Sequence, residues 1–397
     1  MNSSYTDRME EAYWDQWDMF DAKQDDATPD DVINFLNDEE TFRTFGEGLI
    51  NLMQKKYGDI VIENPRAFLK QMCIKTGVNI EEIGSRNTLK DWFSGERKPK
   101  KGEADRYKMF AIAFALEFNP EETAELFHKV YLDRAFNFRN AEEIVFYYCL
   151  SQNKPWVEAK RLISMVGFDG DYEDRTIYTS ELEAGIKNIS TEQGLLDFIK
   201  KHSHNLSLSS VTADSKIEEY IEKSKWAARI ESYMEQNAED FEKRSRDKMP
   251  INLLYEVITR IKTSGKDGTL ALIKKARLPH EIKSRFPTSA SLGIQETHED
   301  RRKVLILLYF YTAWFTKQWG KIPKNQEEFE KFRPNYDFDY TVNLEDYTSH
   351  LDYLLFECGF SPLYYGNPYD WFFMFCSLSK TPLDCFREFL AEVLPEE

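Results

Sequence analysis

Residues 65–101 read PRAFLKQMCIKTGVNIEEIGSRNTLKDWFSGERKPKK, a run with helical apolar spacing, glycine stops and no strand-like alternation. Pro65 to Thr76 predicts a first helix with Phe68, Leu69 and Met72 inward, stopped by Gly77. Residues 78–84 predict a short second helix. Ser85, Arg86 and Asn87 then cap a third over residues 88–94, whose apolar face is Leu89, Trp92 and Phe93 and whose end is Gly95. A short helix anchored on one face leaves Arg86, Asn87, Thr88, Lys90 and Asp91 on the other. Arg97, Lys98, Lys100 and Lys101 follow directly, four cations in five positions, as expected of a phosphate clamp.

Outward from this run the same helical grammar continues. Thr28-Pro29-Asp30-Asp31 and Asn119-Pro120-Glu121-Glu122 both read as an N-cap followed by proline at the first helical position and acids in the first turn. Phe42, Phe45, Leu49, Leu52 and Met53 predict an amphipathic helix reaching Tyr57 before Gly58, and residues 141–150 and 155–166 predict a further pair. Residues 301–319 and the Phe- and Tyr-rich last sixty residues predict a second helical core. The expected fold is all-α, an N-terminal helix-turn-helix-like bundle followed by a C-terminal helical bundle. Its expected parts are an acidic helical segment (1–57), a helix-turn-helix-like domain (58–166), linkers and charged helices (167–248) and an aromatic-rich helical domain (249–397), with residues 216–248 read as a solvated helix or helical pair.

The wording LKDWFSGERKP, followed by RYKMFAIAFALEFNPEETAELFHKVYL, resembles the Xre/Cro-repressor-like helix-turn-helix family over about residues 65–131. In that family a Trp-x-x-Gly ends the recognition helix and further helices complete the bundle. The irregular turn Gly84-Ser85-Arg86-Asn87 and the acid Asp91 depart from the pattern. The stretch RAFNFRNAEEIVFYYCL, residues 134–150, is similar to helical proteins of gut Firmicutes, and this likeness implies no activity. The resemblance implies a DNA-binding regulatory protein whose partner is duplex DNA and whose C-terminal helices serve dimerisation, giving a homodimer, or sensing.

Charge sets the terms of that expectation. The net charge is −17, and residues 1–50 hold fourteen acids against three bases, −11, which leaves −6 for the remaining 347 residues. Residues 85–108 run the other way, with eight bases and four acids, +4. A bulk-acidic protein meets DNA only through such a local patch. The alternative expectation is a non-catalytic α-helical interaction factor, of the kind carried by mobile elements or phage-defence loci, whose acidic surface binds a basic protein.

No glycine-rich phosphate loop, nucleophile elbow or His-Glu-x-x-His pair is present, so no enzyme is expected. His202 and His204 stand in a Ser-rich stretch with no second ligand pair, and no metal or cofactor is expected. The five cysteines show no C-x-x-C spacing and read as buried reduced thiols. The longest uncharged apolar stretch is the twelve residues 304–315, short of the roughly twenty a spanning helix needs, and the first twenty residues show no signal-peptide pattern, so a cytoplasmic protein that meets no membrane is expected. Residues 278–314 repeat the helix-turn-helix order loosely, with Arg301, Arg302 and Lys303 before an apolar helix. A capped core helix is the simpler reading of that segment.

Overall fold

The computed structural model describes residues 28–37, 42–100, 102–166, 179–206, 211–234, 249–262, 269–278, 280–283, 286–293, 298–319, 327–328, 331, 344–379 and 381–394. Among these residues every regular element is a helix and there is no strand, so the fold is all-α. None of these helices is long and apolar enough to cross a membrane. The chain divides into two compact units.

The first unit is Arg43–Thr212 with Phe356–Ser361. It opens with α2, Phe45–Tyr57, where Thr44 and Glu47 close a reciprocal capping box and Gly58 ends the helix at φ +76°. α3 (Ile60–Glu63) leads into α4 (Pro65–Thr76), capped by Asn64 and ended by Gly77 in the left-handed region, as the spacing predicts. α5 is the single turn Ile80–Ile83, and α6 is Arg86–Phe93, capped by Ser85. α6 therefore starts two residues before the expected boundary, because the Ser85 hydroxyl accepts from Thr88 N at 3.2 Å and places Arg86 and Asn87 in the first turn. α7 (Glu103–Ala115) and α8 (Pro120–Glu125) follow, the latter running on as a π-helical turn, Leu126–Tyr131, that stops at Leu132 with φ +57°. α9 (Ala141–Ser151), α10 (Trp156–Met165), α11 (Thr179–Lys187), α12 (Glu192–Lys201) and α13 (Ser203–Leu206) complete the unit.

α7 is the axle of this core: Met109 through Leu116 are all buried, and Phe110 meets Phe127 and Phe146 at centroid distances of 4.7 and 4.8 Å. Arg106, on the same helix, is nearly buried. Its guanidinium donates to both Glu143 oxygens at 2.9 and 2.7 Å, to Asp133 Oδ2 at 2.9 Å and to the carbonyls of Arg134 and Ala135. Burial alone would lower its pKa, but Glu143 and Asp133 outweigh that and raise it, so the charge is held inside the fold. His202 is buried against the Phe198 ring while His204 is exposed, so the two imidazoles do not share a setting.

The second unit is Ala213–Leu355 and Pro362–Glu397 with the described residues of Tyr13–Phe42, which include α1, Pro29–Asn37. α1 packs against the last helix, and the described residues of the stretch expected as one acidic segment, 28–37 and 42–57, fall on both sides of a break between Phe42 and Arg43. Its other elements are most of α14 (Val211–Met234), then α15 (Ile251–Thr259), α16 (Thr269–Lys275), α17 (His280–Lys283), α18 (Ser289–Gly293), α19 (His298–Trp319), most of α20 (Leu344–Glu357), α21 (Pro368–Leu378) and α22 (Pro382–Val393). Phe310 of α19 sits between Phe373 and Phe386 at 5.1 and 5.4 Å.

α14 departs from the expected solvated helix. It does carry the i,i+3 and i,i+4 pairs Lys216–Glu219, Lys223–Glu219 and Lys225–Glu222, yet it buries Ile217, Ala227, Ala228, Ile230 and Glu231. Glu231 is compensated by Arg387, by Arg260 at 3.2 Å and by the Tyr311 hydroxyl at 2.8 Å, which is what allows a charge into the core. Arg301, Arg302 and Lys303 are likewise structural. Arg301 pairs with Asp214 at 3.3 Å, Arg302 grips both oxygens of Asp370 at 2.8 Å, and Lys303 is buried over the Tyr369 ring, so a core helix is what forms there. The expected linker 167–178, residues 207–210 of the Ser-rich stretch and residues 235–248 of the charged run lie outside the described residues.

Two substitutions test this packing. A Cβ on Gly46 would stand 2.5 Å from Trp92 O and 2.8 Å from Phe93 Cα, backbone atoms that cannot yield cheaply. Gly46→Ala is expected to destabilise the first unit by about 1–3 kcal/mol in chemical denaturation followed by tryptophan fluorescence. Glu125 binds Lys55 at 2.9 Å and Lys129 at 3.2 Å. Burial alone would raise its pKa, but the two lysines hold it below the usual carboxylate value. A depressed folded pKa contributes stability above the unfolded value, roughly 4.3, and loses it as pH falls through the folded one. Glu125→Gln should therefore cost up to about 1 kcal/mol at neutral pH, after solvent screening, and the difference should close in acid.

Candidate nucleic-acid interface

α6 has eight residues and so owes its shape to what it packs against. Leu89 and Trp92 are buried; the Trp92 ring meets Phe45 edge-on at 5.3 Å, and Lys108 Nζ stands 5.8 Å above it. With that face fixed, Arg86, Asn87 and Lys90 are exposed on the opposite side. Thr88 is half-buried, its hydroxyl 3.0 Å from Ser85 Oγ within the cap. Asp91 is also half-buried. It faces Arg97 at 3.6 Å, and its carbonyl accepts from Arg97 N at 3.1 Å.

After α6 the chain turns at Gly95 (φ +78°) into a non-helical segment, residues 97–100. Pro99 is buried while Arg97, Lys98 and Lys100 are exposed. Three contacts pin the backbone: Lys100 N donates to Asp105 Oδ2 at 2.6 Å, Tyr131 OH donates to Lys100 O at 2.7 Å, and Gly102 N donates to Tyr131 OH at 3.4 Å. Burial, with Asp133 beside it, holds the Tyr131 pKa up and keeps the phenol a donor. Lys101 lies outside the described residues.

The structure thus brings Arg86, Asn87, Lys90, Arg97, Lys98 and Lys100 together on one short stretch with their side chains at the surface. Between Arg86 and Lys100 the exposed charged residues are those five cations and Glu96, so the patch is basic at its surface as well as in sequence. Two of the eight cations counted over residues 85–108 do not belong to it. Arg106 is consumed by Glu143 and Asp133, and Lys108 is paired with Asp105 at 2.5 Å.

α5 is only one turn long. Glu81 is exposed at its start, and Glu82 accepts from Trp156 Nε1 at 2.6 Å and from Lys160 at 2.9 Å, which ties the turn to α10. Tyr131 and Asp105 were missed in the sequence; Tyr131 lies 31 residues from the carbonyl it binds, and no local pattern announces that contact.

No family model matches the chain, and neither a curated protein nor a solved structure matches it.

Tyr131→Phe removes both hydrogen bonds to this segment and keeps the ring. The expected result is unchanged helix content with several-fold faster tryptic cleavage after Arg97 or Lys100, and an unchanged cleavage rate would show that Tyr131 does not hold the segment.

Proposed function

We propose that the protein is a DNA-binding regulatory protein of the helix-turn-helix type that places α6 against a groove and the non-helical segment Arg97 to Lys100 against the phosphates. One observation carries this reading. An eight-residue helix buries its apolar side and exposes Arg86, Asn87 and Lys90, and it is followed at once by exposed Arg97, Lys98 and Lys100 on a pinned backbone. Arg, Lys and Asn are the side chains whose donors match base edges in the major groove and phosphate oxygens beside it. The pinned segment supports the same reading, since cations already held in place lose less freedom on binding.

A second reading, a protein-interaction factor with a basic partner, is favoured by α5. Its single turn is spent on packing, through Glu82 to Trp156 and Lys160, and it presents Glu81 rather than a cation to solvent. In that case α4, α5 and α6 form only a packing unit.

Fluorescence anisotropy of the full chain with random-sequence duplex separates the two. The expected result is binding at about 50 mM salt that weakens steeply by about 200 mM, with roughly one unit of log–log slope per phosphate contacted. Changing Arg97, Lys98, Lys100 and Lys101 together to Glu should weaken it by about a hundredfold or more at the lower salt with helix content unchanged. Absence of binding by the wild type at the lower salt overturns the reading. Any truncation meant to relieve the acidic N-terminal residues must stop before Arg43, because α2 supports α6 through Phe45 and Gly46.

A further inference from the structure

Three isoleucines of the first unit stand in water. Ile60 and Ile62 on α3 and Ile74 near the end of α4 are 68, 52 and 75% exposed, while Val61, Leu69, Met72 and Cys73 of the same two helices are buried. A single apolar side chain at a surface needs no explanation; three β-branched ones on two helices that pack against each other do. Beside them α4 presents Arg66, Ala67, Lys70, Gln71 and Ile74 to solvent, at spacings of three and four that place them along one side of the helix. Glu63 is exposed at the end of α3. No ion pair among the described residues engages Glu63, Arg66 or Lys70, whereas Lys75 is taken up by Glu117 at 2.5 Å.

The order of these groups is self-complementary. Laid antiparallel on a second copy about a point between Arg66 and Ala67, the stretch brings Lys70 opposite Glu63 and Ile74 beside Ile60. A two-fold axis repeats each of those pairings, so acid meets base twice and isoleucine meets isoleucine twice. Ala67 stands at the axis, where a small side chain lets the two backbones approach, and the long stem of Arg66 carries its guanidinium out to the rim. We propose that α3 and α4 form a self-association face through which two copies of this chain pair antiparallel by Ile60, Glu63, Lys70 and Ile74. A face built from two short helices falls at the small end of specific interfaces, below about 1,200 Å² in all, so the association is weak and reversible. The pairing does not rest on the DNA reading, since none of the four residues belongs to the exposed basic stretch Arg86 to Lys100.

Sedimentation velocity of the full chain at low salt, from about 1 to about 100 μM protein, tests this. The expected result is a reversible equilibrium in which the dimer gains over the monomer as concentration rises. Ile74→Asp, at a position 75% exposed, should abolish the dimer with helix content unchanged. Glu63→Lys alone and Lys70→Glu alone should each weaken association by about tenfold or more, because both copies of one ion pair become repulsive. The two charge variants mixed in equal amounts should associate as the wild type does, since each then offers the charge that the other lacks. That recovery separates a defined antiparallel register from unspecific adhesion of exposed isoleucines. A wild-type chain that stays monomeric throughout overturns the proposal and leaves the face to a different partner. A dimer that persists in Ile74→Asp, or charge variants that associate as well alone as mixed, overturns it too.

Discussion

The burial of Trp92 fixes which way α6 faces, and the rest of the candidate interface depends on it. An eight-residue helix has little stability of its own in water. Its orientation comes from Leu89 and Trp92 entering the core, from the edge-on contact with Phe45 and from the close approach of α2 that Gly46 permits. An aromatic pair of this kind contributes about 0.5–1.5 kcal/mol beyond the area it buries. Once that face is committed, helical geometry puts Arg86, Asn87 and Lys90 outside.

Around this anchor each unit uses buried ions as fixed struts. Arg106 joins α7 to the segment after the π turn and to α9 through Glu143, Asp133 and two carbonyls. Arg302 does the same in the second unit with Asp370 and the Pro362 carbonyl, and Glu231 with Arg387, Arg260 and Tyr311. Burying a charge is costly unless every remaining donor finds an acceptor. The Arg106 guanidinium meets that condition with main-chain carbonyls as well as carboxylates, which draws the irregular segment after the π turn into a defined position. The Tyr131 contact with Lys100 stands on the same segment, one residue from the left-handed Leu132.

What was legible in the sequence follows from how local the physics is. Caps and stops, such as Gly77 after α4, Asn119 before α8 and Gly58 after α2, act within a few residues and were readable as such. The all-α class followed from their density. The start of α6 was misplaced by two residues because Ser85, Arg86 and Asn87 can each stand before a helix, and only the hydrogen bond to Thr88 N selects Ser85. The buried face of α14 was not legible because Glu231 enters the core through Arg387, more than 150 residues away. The break at Phe42 was hidden for a similar reason: α1 finds its partner in the last helix of the chain.

The same distinction separates cations that build the fold from cations that face outward, which charge counting alone merges. Arg302 and Lys303 lie one turn before the buried Leu305, Ile306 and Leu307 on a 22-residue helix, so the helix carries them inward and acidic or aromatic partners must be supplied. Arg106 meets the same fate on α7. Arg97, Lys98 and Lys100 lie instead on non-helical chain after α6, where no helical face carries them inward. Pro99 takes the inward position, and as proline it buries no N–H that would need a partner. With Pro99 as the anchor, its two lysine neighbours are directed outward. An acidic protein thereby keeps a basic segment at its surface, with Arg97 78% exposed beside Asp91.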